Sequence, residues 1–218
     1  MTEEKKPRVE IRKKAIVFQG YFRVDSYSLR HELHEGGWSG EIKREVFERG
    51  HAAGVLGFDP DRDEVLLIEQ FRIGAHVAGY PSWVTEIVAG IIEEDETPEA
   101  VVRREAVEEA GCEVKDLIPI ADYLVSPGGT SETMTLFCGR MDLEDAGGIH
   151  GLADENEDIR VLVLPREEAM RRLEARCIRN SMTIIALQWL ALHLDAVRAL
   201  WAPRRIEDNV LIPGKPGR

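Results

Sequence analysis

Residues 90–112 read Gly90-Ile-Ile-Glu-Glu-Asp-Glu-Thr-Pro-Glu-Ala-Val-Val-Arg-Arg-Glu-Ala-Val-Glu-Glu-Ala-Gly-Cys112. Within this stretch the pattern changes from a loop to a helix. Thr97 is a suitable N-cap, Pro98 occupies the first helical position, and Gly111 stands where helices commonly end. The spacing therefore predicts a helix over residues 98–110.

Three carboxylates share one face of this predicted helix. Glu105, Glu108 and Glu109 stand at positions i, i+3 and i+4, where like charges repel unless a cation joins them. Such a cluster is most often a solvated acidic surface. Here, however, Arg104 can pair with a carboxylate of the acidic loop 93–96 and hold that loop against the helix. A strand–loop–helix unit of this kind can gather oxygen ligands for a hard divalent cation.

Alternating β-type and helical patterns surround this unit. Residues 1–48 are β-rich but have few large apolar side chains, so we expect them to pack on the rest of the chain or on a second subunit. A hairpin is predicted over residues 52–72. The remaining predictions are strands at 83–89, 117–125, 133–141 and 159–164, helices at 166–176 and 181–201, an acidic loop at 142–158, and a flexible tail at 203–218.

The composition excludes some classes of partner. The 218 residues carry a formal net charge of −12 at pH 7, so the average surface attracts neither nucleic acid nor an anionic membrane. The charged N-terminus does not resemble a signal peptide, and no later apolar run is expected to span a bilayer. We therefore expect a cytoplasmic protein. The 3 cysteines lack C-x-x-C spacing and predict buried thiols rather than disulfides or a zinc site.

The segment from Gly90 to Cys112 resembles the Nudix box, G-x5-E-x7-R-E-U-x-E-E-x-G-U, where U is a bulky aliphatic residue. Every fixed position of the motif is matched by this chain. Two U positions hold the smaller residues Ala106 and Cys112, which affects local packing rather than chemistry. The chain is therefore similar to Nudix hydrolases.

Four other segments are similar to the bacterial ADP-ribose pyrophosphatase branch of that family, namely 51–53, 67–72, 126–132 and 148–160. The resemblance implies an α/β/α Nudix sandwich with a mixed sheet. It also implies a small antiparallel β domain, residues 1–48, that is swapped in a homodimer. The hydrolase domain would then be residues 49–202.

The resemblance implies hydrolysis of ADP-ribose to AMP and ribose 5-phosphate. The implied cofactor is Mg²⁺, with Mn²⁺ as an alternative, at about two to three ions per site. The implied metal ligands are Glu105, Glu109, Glu157 and the carbonyl of Ala89. Glu108 would ligate a metal or orient it through water, and Glu155 would be the general base.

The resemblance also implies which residues contact the substrate. The aromatic pair Tyr21 and Phe22 would stack on adenine, although core or dimer-interface positions are an equal alternative. Arginine suits phosphate and base recognition because its planar fork can bond or stack. The remaining implied contacts are Arg44, Glu45, Arg49, Arg72, Ile91, Ser126, Pro127, Gly128 and Glu132.

Two other functions remain open at the level of sequence. The box acts on a pyrophosphate, so another nucleoside diphosphate sugar such as GDP-mannose would suit it equally. A non-catalytic Nudix-fold sensor that binds ADP-ribose and regulates transcription is disfavoured by the intact box and by the net charge of −12, which would repel DNA.

Overall fold

The structure is a computed structural model that describes residues 8–202, except for the side chain of Glu155. The tail predicted to be flexible, 203–218, lies outside the described residues. The elements in chain order are β1 (Val9–Gln19), β2 (Arg23–His31), β3 (Ile42–Glu48), β4 (Ala52–Asp59), β5 (Glu64–Phe71), α1 (Ile73–Val77), β6 (Trp83–Glu86), β7 (Val88–Ile91), α2 (Pro98–Ala110), β8 (Asp116–Leu124), β9 (Thr133–Arg140), β10 (Ile149–His150), a 3₁₀ turn (Ala153–Glu155), β11 (Ile159–Pro165), α3 (Arg166–Glu174) and α4 (Ser181–Trp201).

The central sheet has eight strands and is mixed. Its main order is β10-β11-β5-β4-β9-β8, with β6 beside β5 and β7 beside β4. Strand β4 runs parallel to β9 and antiparallel to both β5 and β7. The predicted hairpin over residues 52–72 is therefore confirmed, and its two strands lie in the middle of the sheet.

Both faces of the central sheet are covered by helices. Because side chains alternate along a strand, Val55 and Leu66 lie in a core with α2, whereas Leu56 and Leu67 lie in a second core with α3 and α4. All four of these side chains are fully buried. The result is the predicted helix–sheet–helix layering, which places α2 alone on one face.

The N-terminal sheet has little core of its own. Strands β1, β2 and β3 form an antiparallel sheet in that order, and Asp25 is the one buried residue in the three strands. The sheet docks through β3, where the Phe47 amide donates to the Gly129 carbonyl at 2.8 Å and the Thr130 hydroxyl donates to the Phe47 carbonyl at 2.9 Å. The domain boundaries at residues 48 and 202 stay a prediction.

The structure corrects several sequence predictions. The strand predicted at 83–89 is two strands, because the chain leaves β5 at Ile87 and pairs next with β4. The Ile87 amide donates to the Thr183 hydroxyl at 3.0 Å instead of to a strand. Helix α1 was not predicted, the acidic loop 142–158 contains β10 and the 3₁₀ turn, and Cys177 is exposed rather than buried.

Helix α4 is long and apolar enough to cross a membrane by length and composition alone. This corrects the expectation that no apolar run is long enough. Its residues Ala186, Leu187 and Leu190 are buried against the sheet. These contacts hold one part of the helix against the sheet, and length and composition by themselves are weak evidence of a membrane span.

Candidate active site

Helix α2 begins and ends as its sequence predicts. The Thr97 hydroxyl accepts a hydrogen bond from the Ala100 amide at 3.2 Å, which caps the first turn. Gly111 ends the helix in the left-handed conformation, with φ of 62°. Val102 and Ala106 are fully buried on the sheet side, which sets the rotation of the helix and presents its glutamates to the loop.

Glu109 is a buried carboxylate beside β7. Its side chain is only 4% exposed, and it accepts a hydrogen bond from the Ala89 amide at 3.2 Å. Burial raises the pKa of Glu109 to about 8, and the negative charge of Glu105 adds to the increase. A cation would stabilise the ionised form of this carboxylate.

Glu105 lies one helical turn away and fits against Gly90. A Cβ atom at Gly90 would lie 1.8 Å from Glu105 Oε1, so only glycine allows the carboxylate to reach this position. Burial also raises the pKa of Glu105, while Arg104 acts in the opposite direction. Ala89, Glu105 and Glu109 are therefore brought together, as expected.

Arg104 joins the acidic loop to the helix. Its Nε and Nη2 atoms donate to the two oxygens of Glu96, each at 3.1 Å. Its Nη1 donates to Glu105 Oε1 at 2.8 Å and to Glu108 Oε2 at 3.0 Å. The hydrogen bond from Arg104 lowers the pKa of Glu96. The predicted pairing of Arg104 with a loop carboxylate is confirmed, and it extends to two helix carboxylates.

The donor set around Ala89 fits a hard divalent cation. Among the described side chains, no three Asp, Glu, His or Cys residues are drawn together as a ready metal group. The available donors are nevertheless oxygens only, which Mg²⁺ and Ca²⁺ prefer. Glu105 lies against Gly90, and burial raises the pKa of both Glu105 and Glu109, so a nearby cation would favour the ionised form of each carboxylate.

The loop before β11 lies close to these carboxylates. The Gly151 amide donates to the Glu108 carbonyl at 3.3 Å, and the negative charge of Glu157 contributes to the raised pKa of Glu105 and of Glu109. The Glu157 carboxylate itself accepts a hydrogen bond from the Leu152 amide at 3.1 Å. Glu155 belongs to the 3₁₀ turn, and its side chain lies outside the described residues.

A second cluster joins the N-terminal sheet to the loop after β8. Arg49 Nη1 lies 3.5 Å from Glu132 Oε1, and the Arg49 guanidinium lies 5.7 Å from the centre of the Phe22 ring. Glu132 is only 6% exposed, whereas Tyr21 is 89% exposed. The Ser131 hydroxyl donates to Glu48 at 2.5 Å. Within one chain, these contacts bring together Tyr21, Phe22, Arg49 and Glu132.

The other predicted substrate residues are more dispersed. Arg44 and Glu45 are exposed on β3, and no described hydrogen bond or ion pair of residues 8–202 joins them to α2. Ile91 follows Gly90 and is 39% exposed. Ser126, Pro127 and Gly128 form the exposed loop between β8 and β9, where the Ser126 carbonyl accepts hydrogen bonds from two amides at 3.0 Å.

Sequence reasoning missed the residue that holds Arg72. Arg72 Nε donates to Glu86 Oε2 at 2.8 Å, and Asn180 Nδ2 donates to Glu86 Oε1 at 2.7 Å. Glu86 interrupts the apolar run Trp83-Val-Thr-Glu-Ile-Val-Ala89. A carboxylate within a buried strand is unusual, and this signal could have identified it.

The NUDIX domain family model matches residues 48–182. The chain belongs to the Nudix family. It is thus a Nudix hydrolase, and its layered fold with a mixed sheet is the Nudix α/β fold.

Three comparisons show which proteins this Nudix hydrolase is similar to. It is 53% identical over 194 residues to the ADP-ribose pyrophosphatase of Escherichia coli (strain K12), covering 89% of this chain and 93% of the relative. It is 35% identical over 195 residues to the GDP-mannose pyrophosphatase of Cronobacter sakazakii, covering 85% and 96%. A crystal structure of an ADP compounds hydrolase matches with a TM-score of 0.66 and 22% identity, covering 88% of this chain and 96% of the other, which shows the shared fold.

The contact between Gly90 and Glu105 gives a testable consequence. Gly90→Ala places a methyl group on the Glu105 carboxylate, so we expect the Mg²⁺ concentration for half-maximal hydrolysis to rise about tenfold or more. Titration of activity with Mg²⁺ measures this effect. Gly40→Ala is the matched control because a Cβ there meets nothing within 4 Å. An unchanged Mg²⁺ requirement in Gly90→Ala would contradict the expectation that the Glu105 carboxylate beside Gly90 binds the metal.

Proposed function

We propose that this Nudix hydrolase cleaves the pyrophosphate of ADP-ribose to AMP and ribose 5-phosphate. The observation that carries the proposal is 53% identity to an ADP-ribose pyrophosphatase along 89% of the chain. The GDP-mannose pyrophosphatase relative is less similar, at 35% identity. GDP-mannose hydrolysis is therefore the second candidate.

Mg²⁺ is the proposed cofactor, held by Glu105, Glu109, Glu157 and the carbonyl oxygen of Ala89. The oxygen donors and the raised pKa values of the two helix glutamates support this choice. Bound Mg²⁺ would activate a water molecule and offset charge on the phosphates. The repulsion between the Glu105 and Glu109 carboxylates would be offset because both would bind the cation.

Glu155 is the proposed general base and accepts a proton from the attacking water. Its turn follows Gly151, whose amide is bonded to α2, so the loop is attached to the helix that bears the carboxylates. Arg104 keeps Glu108 and Glu105 in place from the other side. Glu108 would bind or orient the metal through water.

The N-terminal sheet is the proposed adenosine site. Tyr21 offers an exposed ring for stacking on adenine, next to Phe22 at a ring-centre distance of 4.8 Å. Glu132 would accept hydrogen bonds from ribose hydroxyls, and Ser126, Pro127 and Gly128 would allow close backbone approach. Arg44, Glu45, Arg49, Arg72 and Ile91 complete the proposed contacts.

A homodimer that exchanges its N-terminal sheets is also proposed. Strand β1 exposes more than half the surface of each of five apolar side chains, namely Val9, Ile11, Ile16, Val17 and Phe18. Apolar surface of this extent on a sheet without its own core favours coverage by another copy. Arg44 and Glu45, which no described hydrogen bond or ion pair joins to α2 in their own chain, would then reach the partner's site together with Arg49.

A substrate panel tests the proposed reaction. ADP-ribose, GDP-mannose, ADP-glucose and a diadenosine polyphosphate are each incubated with Mg²⁺ or with EDTA, and the products are separated by chromatography. We expect ADP-ribose to have the highest kcat/KM and to yield AMP only with the metal. A preference for GDP-mannose would establish the second candidate, and binding of ADP-ribose without cleavage would favour a sensor.

The role of Glu155 is tested by replacing its carboxylate. Glu155→Gln keeps the side-chain shape but cannot accept the water proton, so kcat should fall by about two orders of magnitude or more with little change in KM. Steady-state kinetics with ADP-ribose measures both quantities. Near-normal turnover in this variant would remove Glu155 from the role of base.

The oligomeric state tests the proposed homodimer. Light scattering should give about twice the 24.6 kDa mass of one chain. Ile16→Asp places a charge in the exposed apolar strand and should shift the mass toward one chain. Leu192→Asp is the control, since Leu192 is 82% exposed on α4. A wild-type mass of one chain would refute the dimer.

A further inference from the structure

Glu86 is a buried carboxylate to which three side chains donate. It is 4% exposed, and it accepts hydrogen bonds from Arg72 Nε at 2.8 Å, Gln70 Nε2 at 3.3 Å and Asn180 Nδ2 at 2.7 Å. A buried charge is costly unless it is paired and hydrogen-bonded. The three donors meet that requirement at Glu86, and Arg72 is the positively charged one of the three.

The sheet register explains why these donors meet at Glu86. Strand β6 pairs with β5 so that Glu86 lies opposite Ile68. Gln70 is two residues beyond Ile68 and therefore projects from the same face of the strand. Arg72 follows the end of β5, and its amide donates to the Ser82 carbonyl at 2.7 Å. The backbone thus holds Arg72 at the start of the segment that returns to Glu86.

Asn180 connects this pair to the start of α4. Its Oδ1 accepts hydrogen bonds from the amide and the hydroxyl of Thr183, both at 3.1 Å, which makes it the N-cap of the helix. With Oδ1 engaged there, the amide nitrogen is directed to Glu86. The position of the Glu86 carboxylate is therefore set by a helix of the opposite layer.

Arg72 keeps most of its hydrogen-bonding capacity for a ligand. A guanidinium carries five N–H donors, and the bond to Glu86 uses the one on Nε. The side chain is 44% exposed. Arg72 is thus paired with Glu86 through Nε, while the N–H groups on its two Nη atoms remain for a ligand.

We propose that Glu86 is a positioning residue, which, braced by Asn180, holds the Arg72 guanidinium in the orientation that binds the substrate's pyrophosphate. This inference rests on the proposed function, in which Arg72 contacts the substrate. A long arginine side chain loses rotamer freedom when it binds a ligand. Glu86 reduces that loss because the side chain is already ordered before the substrate arrives.

The effect should fall mainly on binding. The pyrophosphate that Arg72 would bind carries negative charge both before and during the reaction. Loss of the Arg72 orientation should therefore weaken binding of the substrate and of the transition state by similar amounts. Glu86→Gln removes the charge while keeping one acceptor oxygen. We expect this variant to raise KM for ADP-ribose about tenfold, with kcat within about threefold of wild type.

A double-mutant cycle separates positioning from a structural role. Because Glu86 acts through Arg72, adding Glu86→Gln to Arg72→Ala should change KM by no more than about twofold. A merely structural Glu86 would raise KM by the same factor in both backgrounds. Glu64→Gln is the matched control, since Glu64 bonds Arg62 at 2.8 Å at the opposite end of β5, and its KM should equal that of wild type.

A second variant covers the case in which Glu86→Gln does not fold. Asn180→Ser keeps an oxygen that can cap α4 but removes the longer amide N–H that donates to Glu86, so KM should rise by about two- to fivefold. Calorimetric binding of ADP with Mg²⁺ provides a readout without turnover and should weaken by the same factors in each variant. Unchanged KM and ADP affinity in both variants, or equal factors in both backgrounds of the cycle, would overturn the proposal.

The substrate used in the cycle keeps the two proposals distinct. If the panel shows another nucleoside diphosphate sugar to be preferred, the proposed ADP-ribose activity fails. The cycle is then run with that sugar and still reports on the coupling between Glu86 and Arg72. If ADP-ribose is cleaved and the coupling is absent, only the positioning role fails.

Discussion

The carboxylates of Glu105 and Glu109 lie one helical turn apart beside Ala89 and Gly90, largely shielded from water. Their mutual repulsion must be offset before both can ionise. Burial raises both pKa values, to about 8 for Glu109. Arg104 supplies part of the compensation from one side. The remaining negative charge makes the site suitable for a divalent cation, and through the cation for an anionic pyrophosphate. Gly90 leaves room for the Glu105 carboxylate, Arg104 bonds the acidic loop to α2, and the segment before β11 brings Glu157 near the two carboxylates.

The proposed metal site and the proposed adenosine site depend largely on different parts of the chain. The carboxylates belong to α2, which packs on the central sheet through fully buried residues. Tyr21, Phe22, Arg44 and Glu45, which are proposed to contact the substrate, belong to the N-terminal unit, whose sheet has almost no core and docks through Phe47 on the loop after β8. The two curated relatives differ in the nucleoside diphosphate sugar that their names specify, ADP-ribose or GDP-mannose, and the proposed recognition residues outside α2 are where such a difference would arise.

Arg72 is linked through Glu86 to the start of α4. Its charge acts on Glu109, while its orientation comes from Glu86 and, behind it, from Asn180 at the start of α4. The N-cap of a helix on one face of the sheet is thus bonded to the carboxylate that holds Arg72, the arginine proposed to bind the pyrophosphate. A helix cap is commonly regarded as a local stabilising device, but Asn180 uses its second polar atom at a distance.

The sequence alone determined helix α2, its two ends and the shared face of its glutamates, because these follow from spacings within a few residues. It also predicted the hairpin, the pairing of Arg104 with the acidic loop and the Nudix family. Only the tertiary structure decided the break at Ile87, the contact of Arg49 with Glu132, and the convergence of Arg72 and Asn180 on Glu86. These contacts join residues that lie from 14 to 96 positions apart, and local periodicity carries no information about which distant partners share a buried position.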